Sequence, residues 1–172
     1  TQLLPLARGH VLEPWAAYWE LRVRLEEAQP AEITGFLPRW AGTYQEDRLR
    51  NDWLLLLGQR RDWTTFADEY PRYRMADDRE LRCYALGIEQ IEQGANSSPA
   101  LAEEVRKNWY ALREADDGCT QAVSQLYAAK KLTPLDIWRK ARLAAEANRP
   151  RMAAKAVEIT APESLPLLAE LN

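Results

Sequence analysis

Hydrophobic positions recur at helical spacing along most of the chain. Trp63, Phe66, Ala67 and Tyr70 fall at i, i+3, i+4 and i+7, the stripe that one face of a helix presents to a core. Leu49, Trp53, Leu56 and Leu57 form a second stripe. Leu81, Tyr84, Ala85, Ile88 and Ile91 form a third, and Leu101, Val105, Trp109 and Leu112 a fourth. Strict apolar/polar alternation never runs long enough to argue for a strand. Ser98-Pro99 and Thr133-Pro134 each set a capping hydroxyl before a proline at the first helical position, and Asp136 completes a capping-box pattern with Thr133. Gly58, Gly94 and Asn148 follow apolar stripes, where a left-handed residue ends a helix. The pattern predicts helices over residues 14–28, 31–40, 45–57, 62–70, 79–93, 99–114, 121–131, 134–147 and 149–159, with a last short one over 164–171.

Connections of two to six residues make successive helices pack as antiparallel neighbours. Leu57 to Trp63 reads as a helix end, a glycine turn and a new helix start. The helix-turn-helix punctuation at Gly58, Gly94 and Asn148 is spaced by 36 and 54 residues, so any repeat is degenerate. The expected fold is all-α: one open superhelical α-solenoid over residues 1–172, similar to a tetratricopeptide array without its regular signature.

Composition narrows function by exclusion. The 172 residues carry 23 Lys plus Arg against 26 Asp plus Glu, a net charge of −3, with no basic surplus of the kind that marks a nucleic-acid partner. No run of about 20 apolar residues occurs that would span a bilayer. An even pair of cysteines, Cys83 and Cys119, with no metal ligands or catalytic partners clustered nearby, suggests an oxidising compartment.

Candidate chemistry is sparse. His10 is the only histidine, which argues against Ser-His and Cys-His catalysis and most zinc sites, and it reads as a solvated turn residue. The acidic pairs Glu26-Glu27, Asp77-Asp78, Glu103-Glu104 and Asp116-Asp117 are adjacent residues that do not face one another on a helix, so they read as solvated faces and caps. Arginines are dense between Arg48 and Arg82, but interleaved Glu46, Asp47, Asp52, Asp62, Asp68 and Glu69 point to weak intrahelical ion pairs. No cofactor or metal motif is present. Trp53, Trp63 and Trp109 sit on apolar stripes and are expected in the core, whereas Trp15 and Trp19, at i and i+4 near the chain start, are candidates for exposure.

His10 to Arg22 resembles the opening helix of the soluble lytic murein transglycosylases. Asp47 to Tyr70, with Arg-Leu-Arg-Asn-Asp-Trp-Leu and Arg-Arg-Asp-Trp, is similar to that family's next helix pairs. Arg82 to Leu86, Gly118-Cys119 and Ile137 to Asn148 follow in the family's order, so the resemblance covers about residues 9–160. It implies the amino-terminal part of a periplasmic U-shaped superhelical domain, exported by a signal that this chain does not carry. In the family that domain accompanies a lysozyme-like domain that cleaves peptidoglycan glycan strands to 1,6-anhydromuramic ends. The implied partners are those strands and the catalytic domain of the same polypeptide.

The chain departs from the family at its catalytic motifs. Glu163-Ser164 is the only Glu-Ser pair; Leu-Pro-Leu-Leu follows it, and neither the Gly-Leu-Met-Gln nor the Ala-Tyr-Asn-Ala-Gly stretch is present. Glu163 therefore reads as a cap and not as the catalytic acid, and no residue here is assigned a catalytic role. Export implied by the resemblance, with no other thiol in the chain, pairs Cys83 with Cys119 across the helix beginning near Arg79 and a turn after Glu114; two buried reduced thiols are the alternative. For glycan contact the candidates are Trp15, Trp19 and Arg22, with Tyr44 and Arg48 as a second group. The competing function is a free-standing helical-repeat adaptor that binds a protein or peptide.

Overall fold

The structure, a computed structural model, describes residues 4–162, with the backbone alone at Leu4. Among them are nine α-helices and no strand: α1 Glu13–Val23, α2 Pro30–Arg39, α3 Tyr44–Arg60, α4 Trp63–Glu69, α5 Arg79–Gln93, α6 Pro99–Ala111, α7 Asp117–Ala128, α8 Pro134–Glu146 and α9 Pro150–Thr160. The all-α expectation holds. The last expected helix, over 164–171, and Glu163 lie outside the described residues. None of the described helices is long and apolar enough to cross a membrane.

Helix starts follow local chemistry. Side chains of Thr43, Asp62, Asp78, Ser98, Asp116 and Thr133 each accept a first-turn backbone N–H, and Thr133 and Asp136 close the expected capping box. Helix ends bring one correction. Gly94 and Asn148 adopt positive φ as expected, but Gly58 is buried inside α3, which runs on to Arg60. The left-handed residue there is Arg61, at φ 61°. The supposed glycine turn is a helical turn.

The chain divides into two compact units, residues 1–77 and 78–172. In the first, α3 is central and packs on α1, α2 and α4. Being covered on several sides, it buries Leu49, Trp53, Leu54 and Leu57 together with polar Gln45, Glu46, Asp47, Arg50 and Asn51. The expected intrahelical ion pairs form in this stretch, but around Arg50 they are buried and not weak surface contacts. Arg50, only 4% exposed, meets Glu46 at 2.7 Å, Asp47 at 3.7 Å and, from the end of α4, Glu69 at 3.4 Å. Asp47 accepts the backbone N–H groups of Arg74 and Met75 at 3.0 and 2.8 Å, tying the segment after α4 back onto α3. Burial works against the charge of Glu46, but Arg50, the Gly42 amide and Arg74 outweigh it and hold that carboxyl below its ordinary range.

In the second unit each helix packs on its neighbours one or two along the chain: α5 on α6 and α7, α6 on α7 and α8, and α9 on α7 and α8. The α5 stripe is rotated from the expected one. Leu81, Cys83, Tyr84, Leu86, Gly87 and Gln90 are buried, while Ile91 is exposed. This rotation aims Cys83 and Gly87 at α7. Gly118 lets α7 come close, since a Cβ there would lie 2.7 Å from the Glu80 carbonyl oxygen. Cys83 and Cys119 then sit at disulfide distance, with Cα atoms 4.8 Å apart. A turn was expected to carry Cys119; it belongs instead to the first turn of α7, which begins four residues before the expected start at 121.

Two outcomes test this packing. Arg50→Ala strands buried carboxylates and is expected to lower the stability measured by urea unfolding by about 3–5 kcal/mol. Thiol titration of the denatured, unreduced protein is expected to find no free thiol, and reduction to cost roughly 3–4 kcal/mol for a bridge spanning 36 positions; two titratable thiols contradict the bridge.

Candidate functional site

On α1, Trp15, Tyr18, Trp19 and Arg22 fall at i, i+3, i+4 and i+7 and so share one face. Tyr18 is buried against α3, leaving Trp15 and Trp19 exposed on either side of it, the latter by 49%. On α3, Tyr44, Arg48 and Asp52 line up one turn apart, and Tyr44 is exposed because it opens the helix beside its Thr43 cap. The two rows meet. The Trp15 and Tyr44 rings lie 5.6 Å apart, and the Arg22 guanidinium sits 5.1 Å over the Trp19 ring. Asp52 joins them underneath: it accepts the Tyr18 hydroxyl at 2.8 Å and pairs with Arg22 at 3.2 Å. Arg48 lies beside them, and Asp52 and the Tyr18 hydroxyl both favour its charge.

The two groups proposed from sequence, Trp15/Trp19/Arg22 and Tyr44/Arg48, therefore form a single surface patch of three aromatic rings and two guanidinium groups. Tyr18 and Asp52, which hold the patch together, were missed; the helical spacing from Trp15 to Arg22 and from Tyr44 to Asp52 was the available signal. Burial, reinforced by the bond to Asp52, pushes the Tyr18 hydroxyl up to about 12, so it stays a donor at any ordinary pH. Burial opposes the charge on Arg48, but Asp52 and Tyr18 raise its affinity for the proton. Exposed ring faces and fixed donors suit a polar ligand with flat C–H surfaces, such as a sugar. The site has no acid, base or nucleophile aimed into an enclosed space.

The three tryptophans expected in the core lie as their stripes suggest, with one exception. Trp53 and Trp109 are buried, at 8% and 5% exposure. Trp63 is only half-buried, with Arg61 stacked 5.6 Å over its ring. His10 is exposed in a turn, where its Nδ1 accepts the backbone N–H of Leu12 at 3.1 Å. A shallow groove of about 250 Å³ between α1 and α2 is lined in part by Arg24, Glu32 and Arg39. Its charges neutralise one another, Arg24 on Glu20 and Glu32, and Arg39 on Glu13. Among the described residues no group of three or more His, Cys, Asp or Glu side chains is placed to hold a metal ion.

The second unit buries titratable groups beside the cysteine pair. Asp116 caps α7 through the Cys119 amide at 2.6 Å, but its other oxygen, Oδ2, is buried without a hydrogen-bond partner. Burial pushes its carboxyl up to about 7, with Glu80 and Asp78 adding repulsion and the Cys119 amide and Lys140 opposing. The pair Asp116-Asp117 is thus only partly a solvated cap. Glu80 accepts the Asp117 and Gly118 amides at 3.1 and 3.2 Å and is likewise raised by burial. Lys140, 2% exposed, donates to the carbonyls of Trp109 and Leu112 at the end of α6, and burial lowers it to about 8. A raised Asp116 makes the folded state hold a proton that the unfolded state releases near pH 3.8. Its contribution is present below that value and is lost as pH rises through about 7. Asp116→Asn, which keeps a capping oxygen, is expected to be relatively more stable than the parent at pH 7.5 than at pH 4, by paired denaturant titrations. A difference that does not change with pH contradicts the assignment.

No protein-family model matches the chain, and no curated protein matches it.

Proposed function

We propose that the chain is a non-catalytic helical scaffold segment of a periplasmic lytic transglycosylase, an enzyme that cleaves peptidoglycan glycan strands to 1,6-anhydromuramic products. Its role is to help position glycan and the catalytic domain of the same polypeptide. The observation that carries this reading is the exposed patch of Trp15, Trp19 and Tyr44 flanked by Arg22 and Arg48. Aromatic faces offer a platform for the C–H surfaces of sugar rings, and guanidinium groups donate to the hydroxyl and carboxylate oxygens around them. An open patch of this kind gives a shallow, weak and repeated contact, which suits guiding a long strand better than holding one substrate. The resemblance of residues 9–160 to the family's superhelical domain supports the same reading, as does a cysteine pair at disulfide distance, which suits an oxidising compartment.

Paired alanine variants separate contact from packing. Trp19→Ala is expected to change stability by less than about 1 kcal/mol. Retention on purified sacculi should weaken roughly 2- to 10-fold, the scale of one aromatic contact of about 0.5–1.5 kcal/mol. Trp53→Ala is expected to cost about 3–5 kcal/mol of stability. Thermal melts and sacculus pull-downs on both variants read the difference. Unchanged retention of Trp19→Ala and of the matching Trp15→Ala removes the glycan reading and leaves the helical-repeat adaptor.

A further inference from the structure

We propose that a basic cleft in the second unit binds a short peptide through its carboxylate side chains. The cleft, of about 470 Å³, lies between the segment after α6 and the start of α9, and its walls include Arg113, Glu114, Arg149, Pro150, Arg151 and Met152. A neighbouring cavity of about 380 Å³ shares Arg113, Arg149 and Met152 with it and is lined on its far side by Lys140.

Charge points to the ligand's chemistry. Three arginines and one glutamate line the cleft, in a chain whose net charge is −3. Only Arg149 is matched, by a 3.4 Å contact to Glu114 in which both side chains are solvated. Arg113 and Arg151 make no hydrogen bond or ion pair with the described residues. Several other exposed arginines, Arg22, Arg39, Arg72, Arg74 and Arg142, each have a carboxylate partner. The guanidinium fork matches a carboxylate in two parallel N–H···O bonds.

Shape and lining favour a peptide over a bare anion. Phosphate would fill a small part of the cleft and has no use for apolar wall. Pro150 and Met152 supply such a wall beside the arginines, and Leu143 and Ala144 line the neighbouring cavity. The floor is fixed in advance. Lys140 pins the Trp109 and Leu112 carbonyls, which holds the residue before Arg113, and the left-handed Asn148 sets the turn that carries Arg149 and Arg151.

Titration calorimetry with the end-blocked tetrapeptide Ala-Glu-Glu-Ala, its Ala-Gln-Gln-Ala counterpart and inorganic phosphate tests this at low salt. The acidic peptide is expected to bind at least tenfold more tightly than the neutral one. Binding should fall at least tenfold in R113Q/R151Q and persist in the charge-matched control R8Q/R142Q. In the unaltered chain, amide shifts on adding the acidic peptide should concentrate at residues 112–115 and 148–152. Equal binding of the two peptides, an equal loss in the control, shifts centred elsewhere, or displacement by phosphate at the peptide's own concentration would each overturn the proposal.

Discussion

Arg50 has almost no access to water, and the first unit is organised around keeping it satisfied. Its guanidinium meets Glu46 and Asp47 on its own helix and Glu69 at the end of α4, while Asp47 also holds the backbone of Arg74 and Met75. A buried charge is tolerated only when its partners are fixed, so α3, α4 and the following segment must adopt one arrangement. The aromatic patch inherits that order. Tyr44, Arg48 and Asp52 lie on the same helix as Arg50, and Asp52 in turn fixes Tyr18 and Arg22 of α1. The surface proposed to meet glycan is therefore built on a rigid element, with the polar groups beneath it already bonded.

The second unit reaches order by close approach. Gly87 and Gly118 remove side chains where α5 and α7 meet, Ala122 adds only a methyl, and the cysteine pair sits where the helices are nearest. That proximity has an electrostatic cost. The carboxylates of Glu80 and Asp116 are drawn into a poorly solvated corner, and burial raises both. Lys140 relieves part of it and also satisfies the open carbonyls at the end of α6. Its head group does there what glycine or water does at most helix ends.

Features governed by a few neighbouring residues were legible in the sequence. Ser98 and Thr133 start helices because a hydroxyl and a following proline act within one turn, and Gly94 and Asn148 end them because few residues accept positive φ. Features that depend on what covers a helix were not. Gly58 looks like a terminator, yet it is buried within α3, which continues to Arg60. The ion pairs of Arg50 with Glu46 and Asp47 read as weak surface contacts, because interleaved signs give the same pattern whether or not a partner helix covers them. Asp-Gly-Cys-Thr at the start of α7 has weak helical propensity, and tertiary packing on α5 overrides it. At the candidate site helical spacing could have named Tyr18 and Asp52 as members of their rows, but not that they join, since a linear sequence does not show that α1 and α3 lie side by side.

The cysteine pair links α5 to α7 and passes over α6, which lies wholly between them in sequence. With the bridge closed, α6 and its flanking turns form an arc of a covalent ring that has no free end. Such an element cannot peel away from a terminus; it can leave its neighbours only as a bulge, with both anchors held. A break in the backbone between residues 84 and 118 would likewise not release a fragment, because the two pieces would stay tethered through sulfur. Helix α6 is thereby kept in place after a nick by its topology as well as by its packing.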